Sequence, residues 1–324
     1  MQRSLNYTIL IFMVLFILGC KSKNKTDRNK VVIATLKGPS AISMIHMIDS
    51  LSEFQDKTLD FQIINEPLQV RKMMLEDEAD MAVLPTTMAA ILYNKGLDYQ
   101  LAAIPVWGTL YLFGKDSTIT NWQRLKGKRV YLMAKGMSPD VVFRYLLQKN
   151  GLDPEKDVIL DYSFPTHIDL AQAVAANRAE LAVISEPLVS LVIQKNPAVK
   201  SLLDLNTEWN KVHQDSILFA QTALLVSTDL AKNEHKWMNG FLEHYNKSLQ
   251  QVNKYPGRFA KSVVEHQILP DTTIARSTIP RCNLHFREAW PIRKEITSYL
   301  NIFYEMNPKI IGGKLPDEAF FYKR

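Results

Sequence analysis

Short apolar runs alternate with helical patterns along the first third of the chain. Residues 31–36, 59–64, 80–84 and 101–106 are apolar runs of strand length. Between them, apolar residues recur at the three- and four-residue spacing of a helix, and glycine, proline, serine or threonine marks most changes. This alternation predicts an α/β fold in which buried, mainly parallel strands are flanked by helices.

The same order of elements occurs a second time. Residues 130–134, 158–162 and 181–184 are again strand-like, and residues 136–139 repeat the glycine, serine and proline helix start of residues 38–40. Because this spacing occurs only twice, it predicts two similar lobes rather than a solenoid. Each lobe is expected to be a mixed sheet flanked by helices.

The remaining third is predicted to be helical after one more strand. Residues 221–226 are apolar and strand-like, and Thr228 is a suitable cap for one long helix over residues 228–255. Further helices are predicted at residues 258–266 and 291–306.

The N-terminus is typical of a secretory signal. Arg3 precedes an apolar run over residues 7–18, which is shorter than the roughly 20 residues that a spanning helix needs. Residues 17–20, Ile-Leu-Gly-Cys, resemble the bacterial lipobox, in which the cysteine is acylated, for example with palmitate. We therefore predict a signal peptide over residues 1–19 and lipidation of Cys20. A signal anchor, or a cleaved signal with a chance cysteine, stays open as the alternative.

Residues 20–30 are almost entirely polar and charged, so they are predicted to form a flexible tether. The net charge of +6 includes this segment, and no basic stripe with interleaved aromatic residues indicates nucleic-acid binding. With Cys20 acylated, Cys282 has no partner among the two cysteines of the chain, which argues against a disulfide framework and favours a buried structural role.

Catalytic and metal-binding motifs are not found in the sequence. The seven histidines are scattered without metal-ligand spacing, and neither a GxSxG nor a phosphate-binding loop occurs. We therefore predict a protein that is not an enzyme and holds no metal or cofactor.

The candidate ligand site lies at helix starts that follow strands. In parallel sheets, ligands bind beyond the carboxyl ends of strands, where helix N-termini present unpaired N–H groups that suit anions or polar acceptors. An aromatic residue that directly follows a predicted strand can stack on a ligand, and a glycine beside it permits close approach. The candidate residues are Gly38, Pro39, Ser40, Thr86, Thr87, Trp107, Gly108, Met137, Ser138 and Glu186.

Each candidate has a simpler alternative that the sequence leaves open. Serine and threonine are ordinary N-caps, and Trp107 is equally suited to packing at the hinge. Met137 is suited to core packing, and Glu186 to capping the helix that begins at Pro187. The loops contain no arginine clamp, which weakens the case for a sulfonate or nitrate ligand.

Several stretches in series resemble the periplasmic substrate-binding proteins of the nitrate, sulfonate, taurine and thiamine-pyrimidine-precursor class. They are residues 36–39, 80–87, 125–130, 150–154, 178–187 and 312–321. The resemblance implies a two-lobed periplasmic binding protein of type II, the "Venus flytrap", with two crossover strands. Mapped onto this chain, it implies that residues 31–108 and 221–324 form lobe 1 and that residues 109–220 form lobe 2.

The resemblance also implies a function. The chain is expected to be the solute-binding component of an ABC import system, a monomer that captures a small organic ligand, anionic or heterocyclic, and delivers it to a permease with its ATPase. Together with the lipobox, it implies a lipid-anchored protein of the bacterial cell envelope. A surface lipoprotein that senses or adheres with the same fold is the alternative, and an enzyme on this fold is a further one.

Overall fold

The computed structural model of the protein describes residues 29–133, 135–214 and 216–324. The predicted signal peptide, the predicted lipidation site Cys20 and nearly all of the predicted tether lie outside the described residues. None of the described helices has the length and apolar content that crossing a membrane requires.

Seven strands form the first sheet, in the order β12-β5-β11-β4-β1-β3-β2. Strand β1 is parallel to β3 and β4, whereas β11 is antiparallel to both β4 and β5, so the sheet is mixed. The strands are β1 (Lys30–Leu36), β2 (Glu53–Phe54), β3 (Lys57–Ile64), β4 (Met81–Pro85), β5 (Tyr99–Trp107), β11 (Ala220–Ser227) and β12 (Leu284–Glu288).

Five strands form the second sheet, in the order β10-β6-β9-β7-β8. Strands β7, β8 and β9 are parallel, and β6 and β10 extend the sheet with antiparallel pairing. The strands are β6 (Leu110–Gly114), β7 (Arg129–Tyr131), β8 (Ile159–Asp161), β9 (Leu181–Ser185) and β10 (Lys200–Asp204).

Twelve α-helices flank the two sheets in the described part of the chain. They are α1 (Pro39–Ser50), α2 (Pro67–Leu75), α3 (Thr86–Asn94), α4 (Ser138–Lys149), α5 (His167–Ala175), α6 (Leu188–Lys195), α7 (Leu205–His213), α8 (Thr228–Asn233), α9 (His235–Lys254), α10 (Pro256–Glu265), α11 (Thr272–Thr278) and α12 (Arg293–Met306). We call the first sheet with α1–α3 and α8–α12 lobe 1, and the second sheet with α4–α7 lobe 2. The predicted class, a two-lobed α/β fold with a mixed sheet in each lobe, is confirmed. The residue boundaries predicted for the lobes stay a prediction.

The elements form because each buries an apolar face. In β1, Ile33 and Ala34 are fully buried on opposite faces of the sheet, one against the core that contains α1 and the other against the core that contains α3. A strand with both faces covered reads as a continuous apolar run, which is why the run at residues 31–36 was recognisable.

Aromatic packing joins the lobes on one side. Trp209 of α7, in lobe 2, lies 5.6 Å from Tyr299 of α12, in lobe 1, between ring centroids. Phe219, in the segment that leads from lobe 2 back to lobe 1, contacts both rings: its centroid lies 5.2 Å from that of Trp209 and 5.9 Å from that of Tyr299. Trp209 and Tyr299 are almost completely buried, so this contact is part of a core that continues from one lobe into the other.

Two predictions of secondary structure were wrong. The single helix predicted over residues 228–255 is two helices, α8 and α9, which are separated at Glu234. Strand β12 lies in a region predicted to be helical, and β10 was not predicted. The expected burial of Cys282 is confirmed: its thiol donates a hydrogen bond to the carbonyl oxygen of Thr278 at 3.3 Å.

Candidate functional site

The candidate site lies where the edges of the two sheets face each other. Strand β5 ends at Trp107 and β6 begins at Leu110, so the chain crosses between lobes within a few residues. The carboxyl ends of β4 and β9 lie at this edge and lead into α3 and α6. This is the position at which open α/β sheets bind ligands.

Two predicted site residues meet across the boundary between the lobes. The hydroxyl oxygens of Thr87, in the first turn of α3, and Ser138, the first residue of α4, lie 2.8 Å apart. Either hydroxyl can donate in this hydrogen bond. The N-termini of α3 and α4 therefore come together, although 51 residues of chain separate these side chains.

A second contact across the boundary involves Gly38. This residue has φ 109° and ψ −143°, a conformation that side chains disfavour. A Cβ atom at this position would lie 3.4 Å from Cδ of Pro187, which follows β9 in lobe 2. Pro39 is the first residue of α1, and Ser40 beside it is 3 % exposed. The loop that begins α1 thus packs against lobe 2.

The hydroxyl groups at these helix starts do not act as N-caps. The cap positions of α1, α3 and α4 are Gly38, Pro85 and Met137, and none of the three helices has a side-chain cap. Thr86 is 1 % exposed, and its hydroxyl oxygen forms no hydrogen bond with any described residue. An unsatisfied buried hydroxyl costs about 1–3 kcal/mol, so a hydrogen-bonding group placed beside Thr86 would be stabilising.

The charges at the helix starts differ between the lobes. Helices α1 and α3 of lobe 1 contain no acidic residue in their first turns. In lobe 2, the buried carboxylate of Asp140 in α4 accepts hydrogen bonds from the Gly136 N–H at 2.7 Å and the Arg144 Nε at 2.7 Å. The start of α4 therefore already carries a carboxylate, whereas the starts of α1 and α3 keep their partial positive charge.

Glu186 is fully engaged with neighbouring groups. Its side chain is completely buried, Oε2 accepts the Ser190 N–H at 3.1 Å, and Oε1 accepts a hydrogen bond from Nε of Arg281. The bond to Ser190 satisfies a backbone N–H in the first turn of α6, although the cap position of this helix is Pro187. Burial lowers the pKa of Arg281, but the hydrogen bond with Glu186 outweighs it, so the net pKa is raised and the guanidinium stays charged.

Sequence reasoning missed Arg281 and Tyr111. The guanidinium carbon of Arg281 lies 4.5 Å from the centroid of the Tyr111 ring in β6. Arg281 follows α11, almost 100 residues after Glu186, and no local motif marks it. The candidate loops contain no arginine clamp, but Arg281 reaches the boundary between the lobes from the C-terminal third of the chain.

Trp107 and Gly108 form the first crossing. The indole N–H of Trp107 donates to the carbonyl oxygen of His285, and the ring is 6 % exposed. A Cβ atom on Gly108 would lie only 2.3 Å from Cδ1 of Phe219, so here the glycine permits close approach of protein rather than of a ligand. Trp107 also lines a surface cavity of about 270 Å³ beside the hinge. The structure thus favours the hinge-packing alternative for Trp107, and Gly108 is part of the same packing.

The two crossings are fastened to each other by one side chain. Oε1 of Gln221, at the start of β11, accepts the backbone N–H of Thr109 at 2.6 Å, and its Nε2 donates to the Thr109 hydroxyl at 2.7 Å. The carbonyl oxygen of Thr109 accepts the Glu186 N–H at 3.0 Å. Thr109 is completely buried, so Gln221 and Glu186 satisfy its polar groups.

Met137 lies beside the contact between α3 and α4 but points outwards, with 52 % of its surface exposed. The described residues contain no cluster of three or more histidine, cysteine, aspartate or glutamate side chains that could hold a metal ion. The structure therefore brings together Gly38, Pro39, Ser40, Thr86, Thr87, Ser138 and Glu186 at the facing edges. Their role in binding a ligand stays a prediction.

A protein-family model and several solved structures match this chain. The model described as ABC transporter, phosphonate, periplasmic substrate-binding protein matches residues 43–251. A crystal structure of an ABC transporter from Parabacteroides distasonis is 28 % identical, with a TM-score of 0.80 over 91 % of this chain and 99 % of that one.

More distant similarity supports the fold. The periplasmic aliphatic sulphonate binding protein SsuA from Escherichia coli has a TM-score of 0.74 at 15 % identity, over 91 % of this chain and 98 % of SsuA. The protein YtlA of Bacillus subtilis (strain 168) is 25 % identical over 194 residues, which are 57 % of this chain and 56 % of YtlA. The match therefore spans little more than half the length of that curated relative.

Proposed function

We propose a function from one premise: the chain belongs to the family of ABC transporter, phosphonate, periplasmic substrate-binding proteins. In this proposal it is the substrate-binding component of an ABC import system. It captures a small organic anion between its two lobes and delivers it to a membrane permease that works with an ATPase. The family and the fold are those of transport proteins, and the proposed function includes no chemical step.

The observation that supports a ligand site between the lobes is the contact of Thr87 with Ser138. Two hydroxyls at the N-termini of facing helices are well placed to hydrogen-bond an oxyanion, because helix N-termini stabilise negative charge. The unsatisfied hydroxyl of Thr86 lies beside Thr87 and adds a third donor. A ligand that binds there contacts both lobes, so it favours the closed arrangement over an open one.

The residues proposed to line the site are those at the facing helix starts. Gly38, Pro39 and Ser40 contribute the loop that begins α1, and Met137 forms the exposed rim. Trp107 and Gly108 contribute at the hinge, where they hold the first crossing. Glu186 contributes through Arg281, because both of its carboxylate oxygens are already engaged.

The proposal also covers the predicted anchor. Acylation of Cys20 after removal of residues 1–19 holds a monomeric binding protein at the membrane, beside the permease. The test is mass spectrometry of the mature N-terminus, with Cys20→Ser as the variant. A mature chain that begins elsewhere, or carries no acyl group at Cys20, would refute the anchor and leave ligand binding unaffected.

The binding proposal is tested with a panel of alkylphosphonates, alkylsulphonates and uncharged analogues. A ligand that binds the folded state raises the midpoint of thermal unfolding, and calorimetric titration then measures its Kd. Thr87→Val and Ser138→Ala each remove one hydroxyl donor, so each is expected to weaken binding by about 2- to 12-fold, the effect of a neutral hydrogen bond.

Matched controls separate a site effect from a general one. Thr272→Val and Ser50→Ala make the same changes at exposed helix positions that are not among the candidate site residues, and they are expected to leave the Kd unchanged. A wild-type chain that binds no member of the panel would refute the proposed function. Equal losses in site and control variants would refute the position of the site.

A further inference from the structure

Arg281 is the only described cation that is held between a carboxylate and an aromatic ring of lobe 2 while its backbone belongs to lobe 1. It ends a single 3-10 turn, Ile279–Arg281, that directly follows α11. Glu186 binds Nε on one side, and the Tyr111 ring covers the face of the guanidinium. Two residues of lobe 2 thus hold the guanidinium of Arg281, one at Nε and the other at the face of the group.

The remaining end of the guanidinium has a donor without an acceptor. Nη2 of Arg281 is buried and forms no hydrogen bond with any described residue. Buried donors are almost always paired, and the penalty for an unpaired one is larger when the group is charged. A ligand oxygen at this point would remove that penalty, so the arrangement favours binding of an acceptor.

The position of Arg281 places this donor at the boundary described above. Glu186 is followed directly by Pro187, whose ring lies against the Gly38 loop of lobe 1. The starts of α1 and α6 and the guanidinium are therefore neighbours along a continuous set of contacts. The charge of Arg281 is balanced by Glu186. Selectivity for one ligand over another at this point therefore depends more on how the guanidinium N–H groups are directed at the ligand oxygens than on net charge.

On the basis of the proposed function, we infer that Arg281 binds the oxyanion of the ligand and that Glu186 and Tyr111 are positioning residues for its guanidinium. Glu186 fixes the orientation because Arg281 donates to a carboxylate that is itself held by the Ser190 N–H. Tyr111 limits the guanidinium to one plane through the contact between cation and ring. The alternative is an ion pair that only holds the lobes together.

The probes are methanesulfonate, methylphosphonate and dimethyl sulfone, an uncharged molecule of similar shape to methanesulfonate. Arg281→Lys keeps the charge but loses the planar set of donors, and it is expected to weaken binding of both anions by about 10- to 100-fold. Binding of dimethyl sulfone is expected to change much less. The ratio of the anion and sulfone Kd values is the readout that a merely structural ion pair would not move.

The positioning residues are tested with conservative pairs of variants. Glu186→Gln removes the charge that orients Arg281 and is expected to lower the anion-to-sulfone selectivity, whereas Glu186→Asp restores part of it. Tyr111→Phe keeps the ring and is expected to bind as the wild type does, and Tyr111→Leu is expected to lose selectivity. Urea unfolding of each variant confirms that the folded state is being measured.

Each outcome decides the inference. Loss of selectivity in Arg281→Lys and Glu186→Gln, with recovery in Glu186→Asp, supports it. Equal weakening for anions and sulfone, or unchanged Kd values in Arg281→Lys, overturns it and leaves the proposed function intact. A wild-type chain that binds neither small anion also overturns it, and the proposed function is then decided separately by the wider panel.

Discussion

The hinge depends on Gln221, and its replacement by leucine is the prediction that we develop most fully. In the wild type, this side chain satisfies the backbone N–H and the hydroxyl of Thr109, at 2.6 and 2.7 Å. In Gln221→Leu, the leucine side chain is similar in size to glutamine but can neither accept nor donate a hydrogen bond. Two polar groups of a completely buried residue then lose their partner.

The expected cost follows from those two groups. An unsatisfied buried polar group costs about 1–3 kcal/mol, and Gln221→Leu leaves two such groups without their partner. The Thr109 hydroxyl can rotate towards another acceptor, which reduces its share, so the free energy of unfolding is expected to fall by about 2–4 kcal/mol. Gln221→Glu is the matched control. Its carboxylate still accepts from the N–H and from the rotated hydroxyl of Thr109, so a smaller loss is expected.

The assay is urea unfolding of the ligand-free chain, followed by tryptophan fluorescence. The midpoint is expected to fall while the slope stays constant, since the surface exposed on unfolding does not change. Ordinary surface substitutions change the free energy of unfolding by no more than about 0.5 kcal/mol. If Gln221→Leu lowers it by no more than that, this account of the hinge is refuted. Equal losses in the two variants would refute the role given to the acceptor.

Three further predictions concern stability, each measured by urea unfolding. Gly114→Ala is expected to cost about 1–3 kcal/mol or more, because its Cβ would lie 2.1 Å from the carbonyl oxygen of Glu180, whereas Gly257→Ala, in open surroundings, is expected to cost little; equal effects would contradict this. Asp271→Ala removes the N-cap of α11 and is expected to cost about 0.5–2 kcal/mol, and no loss would contradict the cap. Burial raises the pKa of Asp80, so the carboxyl group binds a proton more tightly in the folded state than in the unfolded chain. Its contribution to the free energy of unfolding is therefore lost as the pH rises through the folded pKa. Asp80→Asn is therefore expected to stabilise the protein at neutral pH, with a gain that shrinks towards the unperturbed pKa of about 3.9; a gain independent of pH would contradict it.

Strands that are covered on both faces could be predicted from sequence. In β4, Met81 to Leu84 are all completely buried, and their continuous apolar run is typical of a central strand. The glycine and proline positions that begin α1 and α4 were also informative, because both prolines lie in the first turn of a helix. The fold class follows from these signals alone.

Edge strands could not be predicted in the same way. Strand β12 reads Leu-His-Phe-Arg-Glu, and only Leu284 and Phe286 are buried. Such an alternating segment of five residues is easily taken for part of a helical region. The break between α8 and α9 at Glu234 carries neither glycine nor proline, so its apolar spacing gave no reason to divide the helix.

The candidate site shows the same division between local and distant signals. Thr87 and Ser138 could be predicted as site residues because each follows a strand within its own lobe. Arg281 was not, since its partners Glu186 and Tyr111 lie on two strands or loops of the other lobe. Which long-range neighbours a charged side chain acquires is determined by tertiary packing, and no spacing along the chain encodes it.

The position of β11 has a consequence for how the chain acquires its structure. This strand lies between β4 and β5, yet all strands of the second sheet precede it in the chain. Residues 110–204 can therefore assemble their sheet before β11 is in place, while the first sheet still has a gap between β4 and β5. The edges of β4 and β5 that face this gap stay unpaired until β11 (Ala220–Ser227) pairs with both, and in this interval protection from aggregation matters most.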